Sequence, residues 1–216
     1  MLGLTGGLEP SALAKALIYL PPLIIAVVLH EVAHGWVAWK LGDPTAKREG
    51  RISLNPLVHI DPMMTLALPA LLIIMNSPLL FGGAKPVPVN ANFFQNPRKG
   101  MLLVAIAGPL TNFSLAILLV FLQKLTHPIE GIIPSLLMDW VTYGIFINIA
   151  LGVFNLIPIP PLDGGRVAIG LLPQQLASAL ARVEPYGLFL VVFLLYMGVF
   201  DVLLMPVIRL LLYLAF

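Results

Sequence analysis

Long apolar runs are the feature of this sequence that most restricts its fold. Three of them, Ala16–Trp39, Met101–Gln123 and Ile132–Ile157, are long enough to cross about 30 Å of hydrocarbon as helices. A fourth, Tyr186–Phe216, is broken by charged residues and a proline, and it predicts one span with an interfacial end or a helical hairpin. Hydrophobic residues fill 59% of the 216 positions and charged residues only 10%, a ratio typical of proteins in lipid. The sequence therefore predicts an all-α polytopic membrane protein with a core of three transmembrane helices, folded as one membrane domain over residues 1–216.

The apolar segment Met63–Phe81 is harder to assign, because Pro69 and Pro78 interrupt it. Basic residues collect on the cytoplasmic side of a membrane, so the positions of the twelve Lys and Arg residues distinguish a crossing from a re-entrant loop. If the segment re-enters, nine of the twelve fall on one face: Lys40, Lys47, Arg48, Arg51, Lys85, Arg98, Lys99, Arg166 and Arg182. A full crossing removes most of that asymmetry. The charge pattern favours a re-entrant segment and an amino terminus outside the plasma membrane.

Other features of the composition narrow the range of functions. Cysteine is absent, so a metal site must use His, Asp or Glu rather than thiolates. The formal charge of +2 and the scattered basic residues exclude a nucleic-acid-binding surface as an interpretation. The first ten residues lack the pattern of a cleavable signal peptide, and the length leaves no room for an added soluble domain, so we expect the first apolar run to be retained.

The clearest chemical pattern lies inside the first predicted span, where residues 30–34 read His-Glu-Val-Ala-His. Positions i and i+4 of a helix share one face, so His30 and His34 can point at the same ion. Glu31 can reach a water molecule beside that ion and act as a general base. The alternative is a chance pattern or a structural ion, but an ionisable residue within the membrane costs on the order of 2–3 kcal/mol and marks a functional site. A catalytic zinc site is the favoured interpretation.

A tetrahedral catalytic zinc ion needs a third protein ligand and one open position. Asp163 is the favoured candidate, because three prolines within residues 158–161 must end the third span and Gly164-Gly165 allows the backbone to approach an ion closely. The alternative role of Asp163 is to cap the helix that follows. His59 and Asp61 form a weaker candidate pair for metal binding.

Polar residues in the second and third predicted spans are further candidates for function. Asn148, Gly152 and Asn155 share one face of the third span, and Asn112 lies in the second. Such amides commonly hydrogen-bond helices together in membranes, which is the favoured interpretation for Asn148. For Asn112 and Asn155, helix packing and a catalytic role remain open, the latter by gripping the substrate backbone or by stabilising an oxyanion.

Two loops, Gly50–Asn55 and Lys85–Asn90, flank the segment of uncertain topology. Pro86 and Pro88 lack backbone donors, which excludes a central strand for the second loop and leaves an edge strand or an ordinary interfacial loop. An edge strand could pair with an unwound substrate.

Three motifs, taken together, resemble those of the site-2 protease family of intramembrane zinc metalloproteases, in the same order along the chain. They are His30-Glu31-x-x-His34, Gly108-Pro109-x-x-Asn112 and Asn155-x-x-Pro158-x-Pro160-x-x-Asp163-Gly164. By this resemblance, His30, His34 and Asp163 hold one zinc ion per chain and Glu31 is the general base. The resemblance also implies that Asn155 orients or stabilises the reacting group.

The resemblance implies cleavage of peptide bonds in or near transmembrane segments of membrane proteins, at a site toward the cytoplasmic side of a prokaryotic plasma membrane. The chain is similar to a minimal branch of the family without an accessory soluble domain, so substrates known for other branches do not carry over. Two alternative functions remain, a membrane metal transporter and a non-cleaving zinc-binding protein. The chain shows no internal repeat of the kind found in many transporters, and the intact Glu31 argues against the non-cleaving protein.

Overall fold

The computed structural model describes residues 12–67, 82–126 and 135–215. Its α-helices, numbered here in chain order, are α1 (Ala12–Lys40), α2 (Thr45–Arg48), α3 (Pro97–Thr126), α4 (Ser135–Asn155), α5 (Asp163–Leu171), α6 (Gln174–Ala181), α7 (Glu184–Tyr196) and α8 (Val199–Ala215). Shorter turns are 3-10 helical at Pro56–His59 and Ala91–Phe93 and π-helical at Pro62–Ala67. The described ranges contain no β-strand, so Lys85–Asn90 is an extended loop rather than an edge strand.

Three described helices are long and apolar enough to cross a membrane: Leu17–Lys40 within α1, Pro97–Thr126 and Ser135–Asn155. They coincide with the three predicted core spans, which confirms that part of the fold. The second begins four residues before the predicted Met101, because Pro97 suits the first position of a helix and the Asn96 side chain caps it by accepting from the Lys99 N–H at 3.0 Å.

The apolar tail predicted at Tyr186–Phe216 forms two helices over its described part. α7 ends at Tyr196 and α8 begins at Val199, because Gly198 adopts a φ of 70° that interrupts the helical backbone. The tail is thus not one continuous helix, and both predicted alternatives, a span with an interfacial end and a helical hairpin, contain such a break. Of the predicted re-entrant segment Met63–Phe81, residues 68–81 lie outside the described residues, so its topology stays a prediction.

Helix α3 lies at the centre of the bundle, where it packs against α1, α4 and α5, while α1 also packs against α4. Most of its buried residues are small: Gly100, Val104, Ala105, Ala107, Gly108 and Ala116. Small residues let helix backbones approach closely in a membrane, where burying apolar side chains gives little driving force for helix association. The close approach of α1, α4 and α5 to α3 is what positions the candidate site.

The outer face of α3 carries large apolar side chains. Leu110, Ile117 and Phe121 are 53%, 71% and 61% exposed, and their spacing places them on one side of the helix. A surface of this kind is stable against lipid and unfavourable in water. The chain is a multi-pass membrane protein.

Candidate active site

Helix α1 presents His30 and His34 one turn apart on the side that faces α3. Their Nε2 atoms lie 3.0 Å from each other. Asp163, the first residue of α5, brings its Oδ2 atom to 3.1 Å from His30 Nε2 and 3.3 Å from His34 Nε2. All three residues are buried. The structure thus brings together the three side chains that the sequence predicts as metal ligands.

The hydrogen bonds of the two imidazoles fix which nitrogen faces Asp163. His30 Nδ1–H donates to Oδ1 of Asn112 at 2.6 Å, and His34 Nδ1–H donates to the Val104 carbonyl oxygen at 2.7 Å. Because both acceptors are carbonyl oxygens, the proton of each neutral ring resides on Nδ1. Each Nε2 therefore directs a lone pair into the space that it shares with Asp163 Oδ2, where a metal ion would bind.

This arrangement fits a cation better than any other occupant. Three electron-pair donors converge, and the buried Asp163 Oδ2 has no hydrogen-bond donor, which is costly unless a positive charge lies among them. Zinc bonds of about 2.0–2.1 Å in a tetrahedron separate ligand atoms by about 3.3–3.4 Å, close to the observed 3.0–3.3 Å. Across the part of the chain that the structure describes, no other three His, Asp or Glu side chains can share an ion.

The Asp163 carboxylate is in the ionised form that binds metals. Asp163 lies in α5, outside the three candidate spans. Burial raises the pKa of its carboxyl group. Before an ion binds, an imidazole of His30 or His34 that also carries a proton on Nε2 donates to the carboxylate, and these interactions outweigh burial and lower the pKa to about 2.

The loop between α4 and α5 delivers Asp163 to the histidines. The prolines after Asn155 end α4, and α5 then begins at Asp163 itself, with Leu162 as the N-cap residue. A Cβ atom added to Gly164 would lie 2.3 Å from the Leu156 carbonyl group, and one added to Gly165 would lie 2.3 Å from the Pro160 nitrogen. The two glycines thus allow α5 to begin tight against the loop, with the aspartate turned toward α1 rather than serving as a cap.

A cavity of about 450 Å³ opens beside the three candidate ligands. Its polar lining includes Glu31, Asn155 and Arg166, and most of the remaining wall is apolar. The Glu31 carboxylate accepts a hydrogen bond from the Val87 N–H at 3.1 Å, and the Asn155 amide donates to the Leu151 carbonyl oxygen at 3.1 Å. Both side chains are thus placed beside the candidate metal site.

Asn112 lies behind His30 rather than on the cavity wall. It is fully buried, and besides accepting from His30 its amide donates to Asn148 Oδ1 at 2.9 Å. The Asn148 amide in turn donates to the Gly144 carbonyl oxygen at 2.8 Å. This chain of amides ties α1, α3 and α4 together, and it orients His30 through Asn112.

The weaker candidate pair, His59 and Asp61, is engaged in local structure. His59 Nε2–H donates to the Ser53 carbonyl oxygen at 2.8 Å. Asp61 Oδ1 accepts from the backbone N–H groups of Met63 and Met64 at 2.9 and 2.8 Å, at the start of the π-helical turn. Neither belongs to the group of side chains that can share an ion in the described part of the chain.

The sequence did not identify three features that shape the site. A Cβ atom on Gly108 would lie 2.5 Å from His30 Cε1 and 2.5 Å from His34 Nε2, so only glycine lets α3 approach the imidazoles. The Val104 carbonyl group and the Val87 N–H group act through the backbone, and neither leaves a signature in residue type. For Gly108, its place in the Gly-Pro-x-x-Asn motif was the available signal.

Comparison with known proteins agrees with this chemistry. The profile described as "Peptidase family M50" matches residues 124–198. YwhC of Bacillus subtilis, assigned as a zinc metalloprotease, is 40% identical over 182 residues, which cover 82% of this chain and 80% of YwhC. Rip2 of Mycolicibacterium smegmatis, assigned likewise, is 32% identical over 174 residues, which cover 80% of this chain and 64% of Rip2.

A more distant relative and the solved structures complete the comparison. The zinc metalloprotease MJ0392 of Methanocaldococcus jannaschii is 29% identical over 153 residues, which cover 71% of this chain and 34% of that protein. No solved structure matches the chain. The similarity to YwhC extends over most of both chains, and the zinc metalloprotease assignment fits the two histidines and the aspartate that meet beside the cavity. The chain therefore belongs to peptidase family M50, the site-2 protease family of zinc metalloproteases.

Proposed function

We propose that this zinc metalloprotease hydrolyses peptide bonds in or near transmembrane segments of membrane proteins, with its zinc ion held by His30, His34 and Asp163. The observation that carries the proposal is the convergence of the three ligand atoms, 3.0–3.3 Å apart, beside a cavity that residues of all three candidate spans border. A peptide bond that reaches this cavity is surrounded by the helices of the membrane domain.

The reaction needs a base that removes a proton from water and returns it to nitrogen. A zinc ion, when bound, supplies Lewis-acid chemistry that makes water more acidic and polarises a carbonyl group. Glu31 accepts a proton from water as the water oxygen attacks the carbonyl carbon of the scissile bond. The C–N bond then breaks as Glu31 passes that proton to the leaving nitrogen, which gives a carboxylic acid and an amine.

The two asparagines have different roles in this proposal. Asn155 lines the cavity, so its amide can donate a hydrogen bond to the carbonyl oxygen on which negative charge develops. Asn112 acts at a distance from the substrate, because it accepts from His30 Nδ1–H and holds that ring with Nε2 toward Asp163. Asn112 is a positioning residue.

The site imposes a requirement on the conformation of the substrate. An α-helical peptide buries its carbonyl groups in internal hydrogen bonds and surrounds its backbone with side chains, so the helix must open before water can attack a carbonyl carbon. The mostly apolar cavity wall suits the side chains of a membrane-spanning segment. We infer that the substrates are transmembrane segments that unwind readily near the depth of the site.

The orientation of the site follows from charge. Nine of the twelve basic residues fall on one face if the segment 63–81 re-enters the membrane. By the positive-inside rule this face is cytoplasmic, and the carboxyl-terminal end of α1, with His34, lies toward it. We infer one membrane domain in the plasma membrane with its active site toward the cytoplasm.

The experiment that tests the function uses purified protein in proteoliposomes with a set of transmembrane peptides. Glu31→Gln removes the base but none of the three ligands, so we expect zinc content to stay at the wild-type level while cleavage is lost. Glu49→Gln is the matched control, because Glu49 is an exposed residue at the carboxyl end of α2 and should leave both unchanged. Cleavage by Glu31→Gln at the wild-type rate would refute the role of Glu31.

A further inference from the structure

A short extended segment forms one wall of the cavity, and its sequence is unusual. In Pro86-Val87-Pro88 both flanking residues lack a backbone N–H, so Val87 supplies the one backbone donor of the three. The cavity lining includes Pro86 and Val87. The hydrogen bond of the Val87 N–H group is therefore the only one that the backbone of these three residues can donate.

The Val87 N–H group points at the proposed general base. It donates to Glu31 Oε2 with an N···O distance of 3.1 Å, across 56 positions of sequence. Val87 is 8% exposed, so the donor side of this part-buried bond has little contact with solvent. Because a carboxylate has two oxygens, the Oε1 atom of Glu31 remains for proton transfer.

Two buried charged residues hold this segment in place from opposite ends. Arg51 donates from Nη2 to the Lys85 carbonyl oxygen at 2.5 Å, and Asp43 Oδ2 accepts from the Asn90 N–H at 2.7 Å. Arg51 is 4% exposed and Asp43 is fully buried. Hydrogen bonds from or to a charged group are stronger than neutral ones, so both ends of the segment are firmly fixed.

Two further contacts set the height of Val87 above α1. The Lys85 N–H donates to the His59 carbonyl oxygen at 2.8 Å. A Cβ atom on Gly35 would lie 3.2 Å from Val87 Cγ1, so the valine side chain packs into the gap that Gly35 leaves one turn along α1 from Glu31. The backbone of Val87 is thus held at hydrogen-bond distance from the carboxylate.

We propose that the backbone N–H of Val87 is a positioning group for catalysis, which holds the Glu31 carboxylate toward the cavity and leaves its second oxygen to move the proton. The inference rests on the proposed role of Glu31 as base. In this proposal the buried Asp43 and Arg51 act indirectly, because they fix the segment that carries the Val87 donor. The same bond withholds the Val87 N–H from pairing with a substrate strand.

The first test compares two substitutions at one position. Val87→Pro removes the N–H and suits a segment that is already extended and flanked by prolines, whereas Val87→Ala trims the side chain but keeps the donor. We expect kcat of Val87→Pro to fall about 10–100-fold below that of Val87→Ala, the usual effect of losing a group that orients an active residue. KM and zinc content should differ little between the two variants. Equal kcat values would overturn the proposal.

A coupling measurement separates positioning from damage to the fold. In a Glu31→Asp background the shorter side chain withdraws the carboxylate from Val87. The proline should then lower kcat much less than it does with Glu31 present, because the two residues act through one contact. An undiminished loss in that background would contradict the proposal.

Hydrogen exchange gives a direct readout that does not depend on activity. Residues 86–88 carry one exchangeable backbone amide, that of Val87. In the full-length protein, the difference in uptake between overlapping peptides that include and exclude this stretch therefore reports on this donor. We expect slow exchange in the wild type and in Glu31→Gln, which keeps an acceptor oxygen, and faster exchange in Glu31→Ala. Equal exchange in all three proteins would overturn the proposal. Failure of the proposed function is a separate result, because it would be seen as cleavage by the Glu31→Gln variant.

Discussion

Gly108 offers the sharpest test of how the site is built, because replacing it changes one methyl group at a known distance from two candidate zinc ligands. In Gly108→Ala the added Cβ would lie 2.5 Å from His30 Cε1 and from His34 Nε2. Carbon atoms in favourable contact lie about 3.5–4.0 Å apart, so the rings or α3 must move by about 1 Å. The rings cannot retreat freely, because Asn112 and the Val104 carbonyl group hold their Nδ1 atoms.

A displacement of this size exceeds what a zinc site accepts. Zinc–ligand distances vary by about ±0.2 Å, and misplacing a reacting group by about 1 Å costs on the order of 100-fold in rate. We expect Gly108→Ala to bind zinc about 10–100-fold more weakly and to lose on the order of 100-fold in kcat/KM. Overpacking of this kind also lowers the free energy of unfolding by about 1–3 kcal/mol.

The assay is a zinc titration of purified protein against a chelator buffer, with cleavage of a transmembrane peptide and thermal unfolding measured on the same samples. Gly144→Ala is the matched control, because its Cβ would meet only Leu119 Cδ1 below 3 Å, at the far end of a flexible side chain, and the substitution keeps the Gly144 carbonyl oxygen that accepts from Asn148. The control should keep its zinc even if it loses some stability. Wild-type zinc affinity and kcat/KM in Gly108→Ala would refute this account of the packing.

Two further predictions concern side chains around the site. Asn112→Ala removes the acceptor of His30 Nδ1–H, so zinc affinity in the same titration should fall about 10–100-fold. Ser114→Ala, at an exposed position of the same helix, should keep the wild-type affinity. Equal zinc affinity in the two variants would contradict the role of Asn112. Arg166→Gln removes the ion pair with Glu184, whose N···O distance is 3.4 Å and whose side chains are 37% and 43% exposed. Salt and water screen such a pair, so the free energy of unfolding should fall by less than about 1 kcal/mol, and a larger loss in chemical denaturation would contradict this.

The parts of the site that could be predicted are those written in short patterns. Helical periodicity alone places His30 and His34 on one face with Glu31 beside them. The prolines before Asp163 and the glycines after it indicate a sharp turn from helix to loop, which the structure contains. The three core spans follow from length and hydropathy because no water is available in lipid to satisfy a broken helix.

The parts that could not be predicted depend on backbone groups and on distances between elements. The Val87 N–H and the Val104 carbonyl group exist whatever the side chain, so residue type carries no information about their partners. The catalytic role left open for Asn112 assumed a side chain near the substrate, whereas its position behind His30 follows from how closely α3 packs on α1. Glycine adopts both helical and positive φ values, so the sequence alone does not show that Gly198 interrupts the helix with a φ of 70°.

The distribution of the candidate ligands along the chain has a consequence for how the enzyme is made. The two imidazoles and the proposed base belong to the first span, while the carboxylate of Asp163 follows the third. Helix α3 packs against both α1 and α5, so it must be in place before these groups can meet. A nascent chain that has inserted only its first two spans thus carries an incomplete metal site. We therefore expect proteolytic activity to begin only after residue 163 has been synthesised and has docked beside the two histidines.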